Sequence, residues 1–508
     1  MTPCRHEAAA GARIGSANAE IRDRPARGRP RDRLPPPPYG ESASAIGPAT
    51  AAARSASLPV MNTRSSPSSR VHVVLVPGFA GFDALGQLEY YAGVTPAFRA
   101  WAAGAESTAR VELHYFDNLP TASVATRAAR LRQYLAKRYA RGELQPGDAL
   151  ALVGHSTGGL DIRRLLLDLD EQARAGVAIE VDGASGTAFT VRPGDLLAMV
   201  RGLVFLSVPQ RGTNIADWVG AHPHARCRAV DALRGAVNAA RLPQLDELQA
   251  WFAGRAASFA RADLFLAVRD ALAEIDATGD DPARRAAAQE AAAELELWLR
   301  HIASDFSAID DLAAAPAASR ASPAHASDGQ REEERRMWAR CGIRTRSYAT
   351  LGTRPYDFPE GDAVPAWEIL KPLTFPFMRL AAGVSARVDP VYLCAYRACA
   401  GGPLRAPLAP SVLEATELGG TARRKIEIWD NDGIVNTASM LWPDGPETRL
   451  VAGDHGDIIG HYRLVEAIEG AARRYHTYDL LRSGSGFDEA AFRAVWQDVF
   501  AFCAESAG

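Results

Sequence analysis

The passage that most constrains this chain runs from Ala149 to Leu169. It opens with the apolar run Ala149-Leu-Ala-Leu-Val153, turns through Gly154-His-Ser-Thr-Gly-Gly159, and continues into the periodic segment Leu160 to Leu169. A short continuous apolar run reads as a strand buried on both faces, and an apolar repeat every three to four residues reads as a helix. A Gly-x-Ser-x-Gly turn between them holds its serine in a strained conformation with Oγ exposed above the sheet. Glycines flank it because side chains there would collide with neighbouring backbone. With Gly at 43 of 508 positions, the pentapeptide alone arises by chance about 0.2 times in such a chain, so the flanking strand and helix carry the inference. Ser156 is the candidate nucleophile; the bland alternative is an ordinary glycine-rich turn.

The same alternation extends outward. Val71 to Val76, closed by Pro77 and Gly78, reads as a buried strand, followed by a strand at 109–115, a helix at 122–140, the strand at 149–154, a helix at 159–170 and a strand at 201–206. Strands and helices at this spacing imply a parallel, doubly wound α/β sheet, whose ligands bind at the carboxyl ends of the strands. From 213 to 340 the pattern turns helical. Leu245, Leu248, Phe252 and Phe259 share one face, as do Leu264, Val268, Leu272 and Ile275, and again Leu295, Trp298, Leu299, Ile302, Phe306 and Ile309. The stretch 313–336, rich in Ala, Ser and charge, reads as a connection. Strands resume at 343–351, 425–429 and 448–452, and a helix at 488–503 closes the fold. The expected organisation is an extension and linker over 1–70, a first core segment over 71–212, a helical lid or cap over 213–340 and a second core segment over 341–508.

Residues 1–60 are rich in Arg, Ala and Pro, including the run Pro35 to Pro38, and carry too little apolar surface to offset the entropy of ordering, so disorder is expected. They lack the charged segment, apolar core and small-residue cleavage site of a secretory signal, so the expected compartment is the cytoplasm or is left unknown, with export open. Met61, just before the linker, is an alternative translation start that the intact mass of the native protein would reveal. A formal net charge of −3 calls for neither nucleic acid nor an anionic membrane surface, and no apolar run reaches the ~18 residues of a membrane span. The six cysteines, Cys4, Cys227, Cys341, Cys394, Cys399 and Cys503, are scattered without a CxxC pair and read as mostly buried thiols.

A serine nucleophile needs a base to take its proton and an acid to hold that base in the right tautomer. Downstream, Ile426 to Trp429 leads into Asp430-Asn-Asp432-Gly433, and Arg449 to Gly453 leads into Asp454-His455-Gly456-Asp457. Asp432 is the favoured acid because Gly433 permits a tight turn, with Asp430 as the fallback. His455 directly follows an expected strand and is the favoured base; His461, inside the next expected helix, competes with it. His155 points away from its neighbour Ser156 and packs or hydrogen-bonds locally. His222 and His224 flank Pro223 without nearby partners for a metal. The oxyanion needs two donors: the amide of Thr157, and one from the loop Pro77-Gly-Phe-Ala-Gly-Phe82, where Phe79 is the candidate. A plain glycine turn is the alternative reading of that loop.

These residues resemble the bacterial true lipases of family I, including the subfamily from thermophilic bacilli. The resemblance rests on Val76-Pro-Gly-Phe-Ala-Gly-Phe-Asp83, Gly154 to Gly159, Ser207-Val-Pro-Gln-Arg-Gly-Thr213, and the pair Asn431-Asp-Gly-Ile-Val-Asn-Thr437 with Asp454-His-Gly-Asp-Ile-Ile-Gly460. It implies the α/β-hydrolase fold, an acyl-enzyme on Ser156 with Asp432 and His455 as acid and base, and a helical lid over an apolar acyl pocket. The implied substrate is a lipid ester met at a lipid–water interface, with water as final acceptor and no cofactor required. Many such relatives bind structural calcium through an acidic residue two positions after the histidine, here Asp457. Departures are Pro77 and Gln210, where relatives carry histidines, and Gly154, where the bacillus subfamily often has Ala; that subfamily's zinc insert does not match. A carboxylesterase for short esters and an acyltransferase share this architecture, and an inactive binding module is the rival from another class.

Overall fold

The computed structural model describes residues 70–81, 84–85, 88–104, 110–182, 188–221, 297–298, 300–301, 304–313, 322–354, 390–401, 413–463, 465–469, 472–477 and 479–506. Its frame is an eight-stranded sheet. The strands are β1 (Arg70–Val76), β2 (Arg110–Tyr115), β3 (Ala149–His155), β4 (Val200–Leu206), β5 (Arg344–Leu351), β6 (Glu414–Glu417), β7 (Arg423–Lys425) and β8 (Arg449–Ala452). In space they run β7-β6-β8-β5-β4-β3-β1-β2, every neighbouring pair parallel except β6 with β7.

Side chains alternate across each strand, so a strand buried on both faces must be apolar throughout. β1 meets this demand with Val74 and Val76 on one face and Val71, Val73 and Leu75 on the other, the exception being the buried His72, whose ring nitrogens reach His114 and Asp148. The first face packs under α2 (Val124–Ala140), α3 (Thr157–Ala175) and α4 (Asp328–Arg340), through Leu131, Leu135, Leu165, Leu166, Met337 and Trp338. The second packs under α1 (Val94–Gly104) and α5 (Glu489–Glu505), through Val94, Val495, Trp496 and Phe500. Helix starts are capped by side chains: Ser123 accepts from Thr126 N, Asp488 from Ala491 N, and Ser327 with Gln330 forms a reciprocal box. Because β1 sits between β2 and β3, the chain leaves it in opposite directions on its two sides. The crevice at the carboxyl ends of β1 and β3 is therefore the switch point of the sheet. This is the α/β-hydrolase fold.

Several local expectations change. The stretch 313–336 holds the short helix Pro323–His325 and most of α4; Met337 and Trp338 on that helix join the main core, so it is structural rather than connecting. Residues 426–429 form no strand, because Asp430 N–H donates to Glu427 O (3.0 Å) while Glu427 N–H donates to Asp430 Oδ2 (2.8 Å), closing a turn instead. His461 lies in no helix; a hairpin of Val465–Glu469 with Ala472–Thr477 follows it. A second hairpin, Ile179–Asp182 with Ala188–Val191, follows α3. Of the expected helical insertion, His222, His224, Leu245, Leu248, Phe252, Phe259, Leu264, Val268, Leu272, Ile275, Leu295, Leu299 and Ile302 lie outside the described residues. Cys341, Cys399 and Cys503 are free thiols. Among the described residues no helix is long and apolar enough to cross a membrane.

Candidate active site

Ser156 stands between β3 and α3 with φ 53° and ψ −130°, a backbone region that costs a non-glycine residue on the order of 1–3 kcal/mol. The surroundings enforce it. A Cβ on Gly154 would fall 2.6 Å from Gly159 N, one on Gly158 2.3 Å from Val76 O, and one on Gly159 2.3 Å from Val208 Cγ2. Each is far inside contact distance, so the three glycines are sterically required. Ser156 N–H is tied to Leu206 O at 2.9 Å.

The loop after β1 presses on the serine from the other side, since a Cβ on Gly78 would lie 2.6 Å from Ser156 Cβ. Its amides are mostly committed. Gly78 N–H donates to Tyr90 Oη at 2.8 Å, Ala80 N–H to Pro120 O at 2.7 Å and Gly81 N–H to Gly78 O at 3.1 Å. Pro77 has no N–H, so among the described hydrogen bonds Phe79 retains the loop's free amide. Thr157 is the first residue of α3, where the N–H has no partner within the helix. The loop's carbonyls are gripped from α2: Arg127 Nη2 donates to Pro77 O (2.7 Å) and Gly78 O (3.0 Å). The same guanidinium is paired with Asp161 of α3 at 2.9 Å, both side chains being fully buried. Burial raises the Asp161 carboxyl to about 6 against the opposing pull of Arg127.

The structure brings Asp432 and His455 together. Asp432 Oδ2 lies 2.7 Å from His455 Nδ1, and Asp432 Oδ1 accepts from the amides of Ile434 (3.0 Å) and Val435 (2.7 Å). Thr350, at the end of β5, donates its hydroxyl to Asp432 Oδ2 at 2.6 Å, and the Ser207 hydroxyl lies 2.8 Å from Thr350 Oγ1. The two fallback residues are engaged elsewhere. Asp430 is held by Arg354, with Nε to Oδ1 at 2.7 Å and Nη2 to Oδ2 at 2.6 Å, and His461 Nε2 lies 3.0 Å from Tyr90 O.

His155 hydrogen-bonds on both sides of its ring. Its Nε2 is 3.0 Å from the carbonyl of His455 and its Nδ1 is 2.7 Å from Tyr90 Oη, and its ring lies 4.6 Å from that of His455. A carbonyl only accepts, so Nε2 carries the proton and Nδ1 accepts from the tyrosine hydroxyl. One relay thus joins the Gly78 amide, Tyr90, His155 and the His455 backbone. Burial first, then the nearby His455 and His461, hold the His155 pKa well below the usual histidine value.

Asp457 is buried, and its Oδ2 accepts from Asp454 N (2.8 Å) and Ser485 Oγ (2.9 Å). Ligand oxygens of Asp454, Asp457 and Asp479 lie within 4.8 Å of one another. Burial raises the Asp454 carboxyl to about 6, and burial together with Asp454 raises Asp457 well above the carboxylate range.

Sequence reading missed Thr350, Ser207, Tyr90, Arg127, Asp161, Asp454 and Asp479. Arg127 had a signal available. Arg127 lies on the face of α2 that also presents Val124, Ala128 and Leu131, and a charge on an apolar face needs a buried partner.

No family model and no curated protein matches the chain. Among solved structures it is similar to EstA from Clostridium botulinum, at 16% identity over 84% of this chain and 89% of that one with a TM-score of 0.39. Lipase 1 from Pelosinus fermentans is similar at 16% identity, covering 85% of this chain and 97% of that one, TM-score 0.36. The metagenomic carboxyl esterase MGS0156 is similar at 14% identity, covering 87% and 77% respectively, TM-score 0.34. Likeness at this level assigns no chemistry to this chain.

Proposed function

We propose that this chain is a serine hydrolase of carboxylic esters. The observation that carries the reading is the 2.7 Å Asp432–His455 contact, supplied from the same edge of the sheet on which the strained Ser156 stands. His455 takes the Ser156 Oγ proton as Oγ attacks the ester carbonyl, and the amides of Phe79 and Thr157 hold the resulting oxyanion. Collapse breaks the bond to the alcohol, which leaves with the proton returned by His455. Water, deprotonated by His455, then attacks the acyl-enzyme and the acid leaves as Ser156 recovers its proton. Asp432, held by two amides and Thr350, orients the imidazole and stabilises its cation.

A lipid ester is the substrate class this site favours. The apolar support comes from the Phe79 ring, which meets Phe306 edge-on at 5.4 Å, and from Trp298, whose Nε1 donates to Ala80 O at 3.1 Å. Both partners belong to the segment expected as a lid. Ser156→Ala should lower kcat on p-nitrophenyl esters by about 10⁶-fold and abolish fluorophosphonate labelling, while wild-type enzyme should gain rate on long-chain esters above their solubility limit. Near-wild-type turnover by the variant ends the reading, and a rate that falls with chain length replaces lipid by short soluble esters.

Asp454, Asp457 and Asp479 fit a hard divalent cation such as calcium: all three offer carboxylate oxygen, and Asp454 and Asp457 are buried. The ion would neutralise this cluster and brace the His455 turn. Chelation should lower the Tm of wild-type protein but not of Asp457→Asn; equal Tm with and without chelator removes calcium from the account.

A further inference from the structure

A second group of ligating side chains lies at the other end of the sheet. His72 on β1 stands in register with Glu112 on β2, and His114, two residues further along β2, points to the same face as Glu112 because side chains alternate. His72 Nδ1 is 2.9 Å from His114 Nε2 and 3.7 Å from Glu112 Oε2. One ligand atom from each of the three lies within 4.8 Å of the others. We propose that His72, Glu112 and His114 form a binding site for a transition-metal dication of the zinc type.

The donor set is two imidazoles and a carboxylate, a combination suited to zinc with a fourth position left to water. Ligand atoms of a tetrahedral zinc lie about 3.3 Å apart, a spacing bracketed by the two measured contacts, so small side-chain rotations admit the ion. The outer contacts are in place as well. His72 Nε2 lies 3.2 Å from Asp148 Oδ2, the carboxylate–histidine arrangement that fixes the tautomer of a metal ligand. Asp148 is itself held by Arg70, with Nε to Oδ1 at 3.2 Å and Nη2 to Oδ2 at 2.9 Å, and by the amide of Gln145 at 2.8 Å.

With Nε2–H committed to Asp148, His72 presents the Nδ1 lone pair inward. His114 offers Nε2 once its proton shifts to Nδ1, a change of tautomer without net proton release. His72 is buried while Glu112 and His114 are half-buried, which gives the ion an approach from solvent. Arg110, whose Nε lies 3.1 Å from Glu112 Oε1, is mostly exposed and can turn outward. Arg138 is already engaged with Glu143 at 3.1 Å. The ion would bind the edge strand β2 to β1, away from the carboxyl-end crevice, and so act on the sheet rather than on ester turnover.

The test uses the full chain, stripped by chelation and titrated with Zn²⁺ by calorimetry, then with Co²⁺ by visible absorption. Wild-type protein and Asp457→Asn should bind one equivalent of Zn²⁺ at micromolar affinity or tighter, and Co²⁺ should give the intense bands of a tetrahedral site. Glu112→Gln and His114→Gln should each weaken Zn²⁺ by about tenfold or more, with ester hydrolysis unchanged. Glu112→Gln alters a partly exposed side chain, so its folding is secure if His114→Gln proves unstable. Absence of stoichiometric Zn²⁺ binding, or affinity unchanged in Glu112→Gln, would overturn the site and leave a hydrogen-bonded histidine pair, with the Ser156 chemistry untouched.

Discussion

Ser156 carries a φ of 53° because three neighbouring glycines let other backbone and the Val208 side chain approach and β4 anchors its amide. The same logic of support applies to the acid. Asp432 reaches His455 through Oδ2, the oxygen that also accepts from Thr350, so under the proposed chemistry the threonine is a positioning residue for the acid. A hydrogen bond to a charged group contributes about 1.5–3 kcal/mol. Thr350→Val, which keeps the shape and deletes the donor, should therefore lower kcat/KM by about tenfold or more, and Thr350→Ser should restore most of it. Full activity in the valine variant would remove Thr350 from the positioning of Asp432. Asp430 and Asp432 are likewise told apart by their partners. Two acids separated by one residue are nearly equivalent in the sequence, and Arg354, far away along the chain, claims the first.

At the scale of elements, α2 and α3 pack their apolar faces together yet bury a charge pair between them. Arg127 and Asp161 are both fully buried, and the guanidinium also grips the carbonyls of Pro77 and Gly78. The helices thereby set the height of the loop that offers the Phe79 amide. Arg127→Met should destabilise the protein by about 3–5 kcal/mol because the buried Asp161 loses its cation and must either stay charged without it or take up a proton. Arg127→Met combined with Asp161→Leu should recover stability but not kcat, since the loop carbonyls remain ungripped. Urea unfolding and initial rates on the two variants measure both halves, and a double variant with normal kcat would show that the loop needs no such hold. The helices themselves were readable from period and caps. The turn at 426–429 was not, because its apolar alternation mimics a strand while the Asp430 side chain captures the backbone locally.

Across the whole molecule, the relay through Tyr90 and His155 ties β1's loop, the nucleophile turn and the His455 turn into one unit. It also makes the fold sensitive to acid. His155 has a folded pKa well below its ordinary value, so below about pH 6.5 the unfolded chain takes up a proton that the folded one does not. Stability therefore rises with pH up to that point and is lost below it, by up to about 1.4 kcal/mol per pH unit for this one group. Asp161, Asp454 and Asp457, whose carboxyls are raised by burial, pull the other way in this window, so the measure is a difference: urea unfolding between pH 5 and 7 should give wild type a more positive slope of stability against pH than His155→Gln, and equal slopes would assign the acid sensitivity to other groups. From its sequence alone the chain declared β1, β3, the serine turn and the parallel α/β arrangement, because each rests on local pattern: apolar runs, helical period and glycines that only a tight approach requires. It also narrowed the acid and base to two candidates each. Tertiary structure brought Asp432 to His455 and gave Asp430 and His461 other partners, and it alone revealed Thr350, Arg127 with Asp161, the His155 relay and the His72–Glu112–His114 group. Those contacts join residues far apart in the chain, and their energies come from burial and mutual charge, which exist only once the sheet has brought them together.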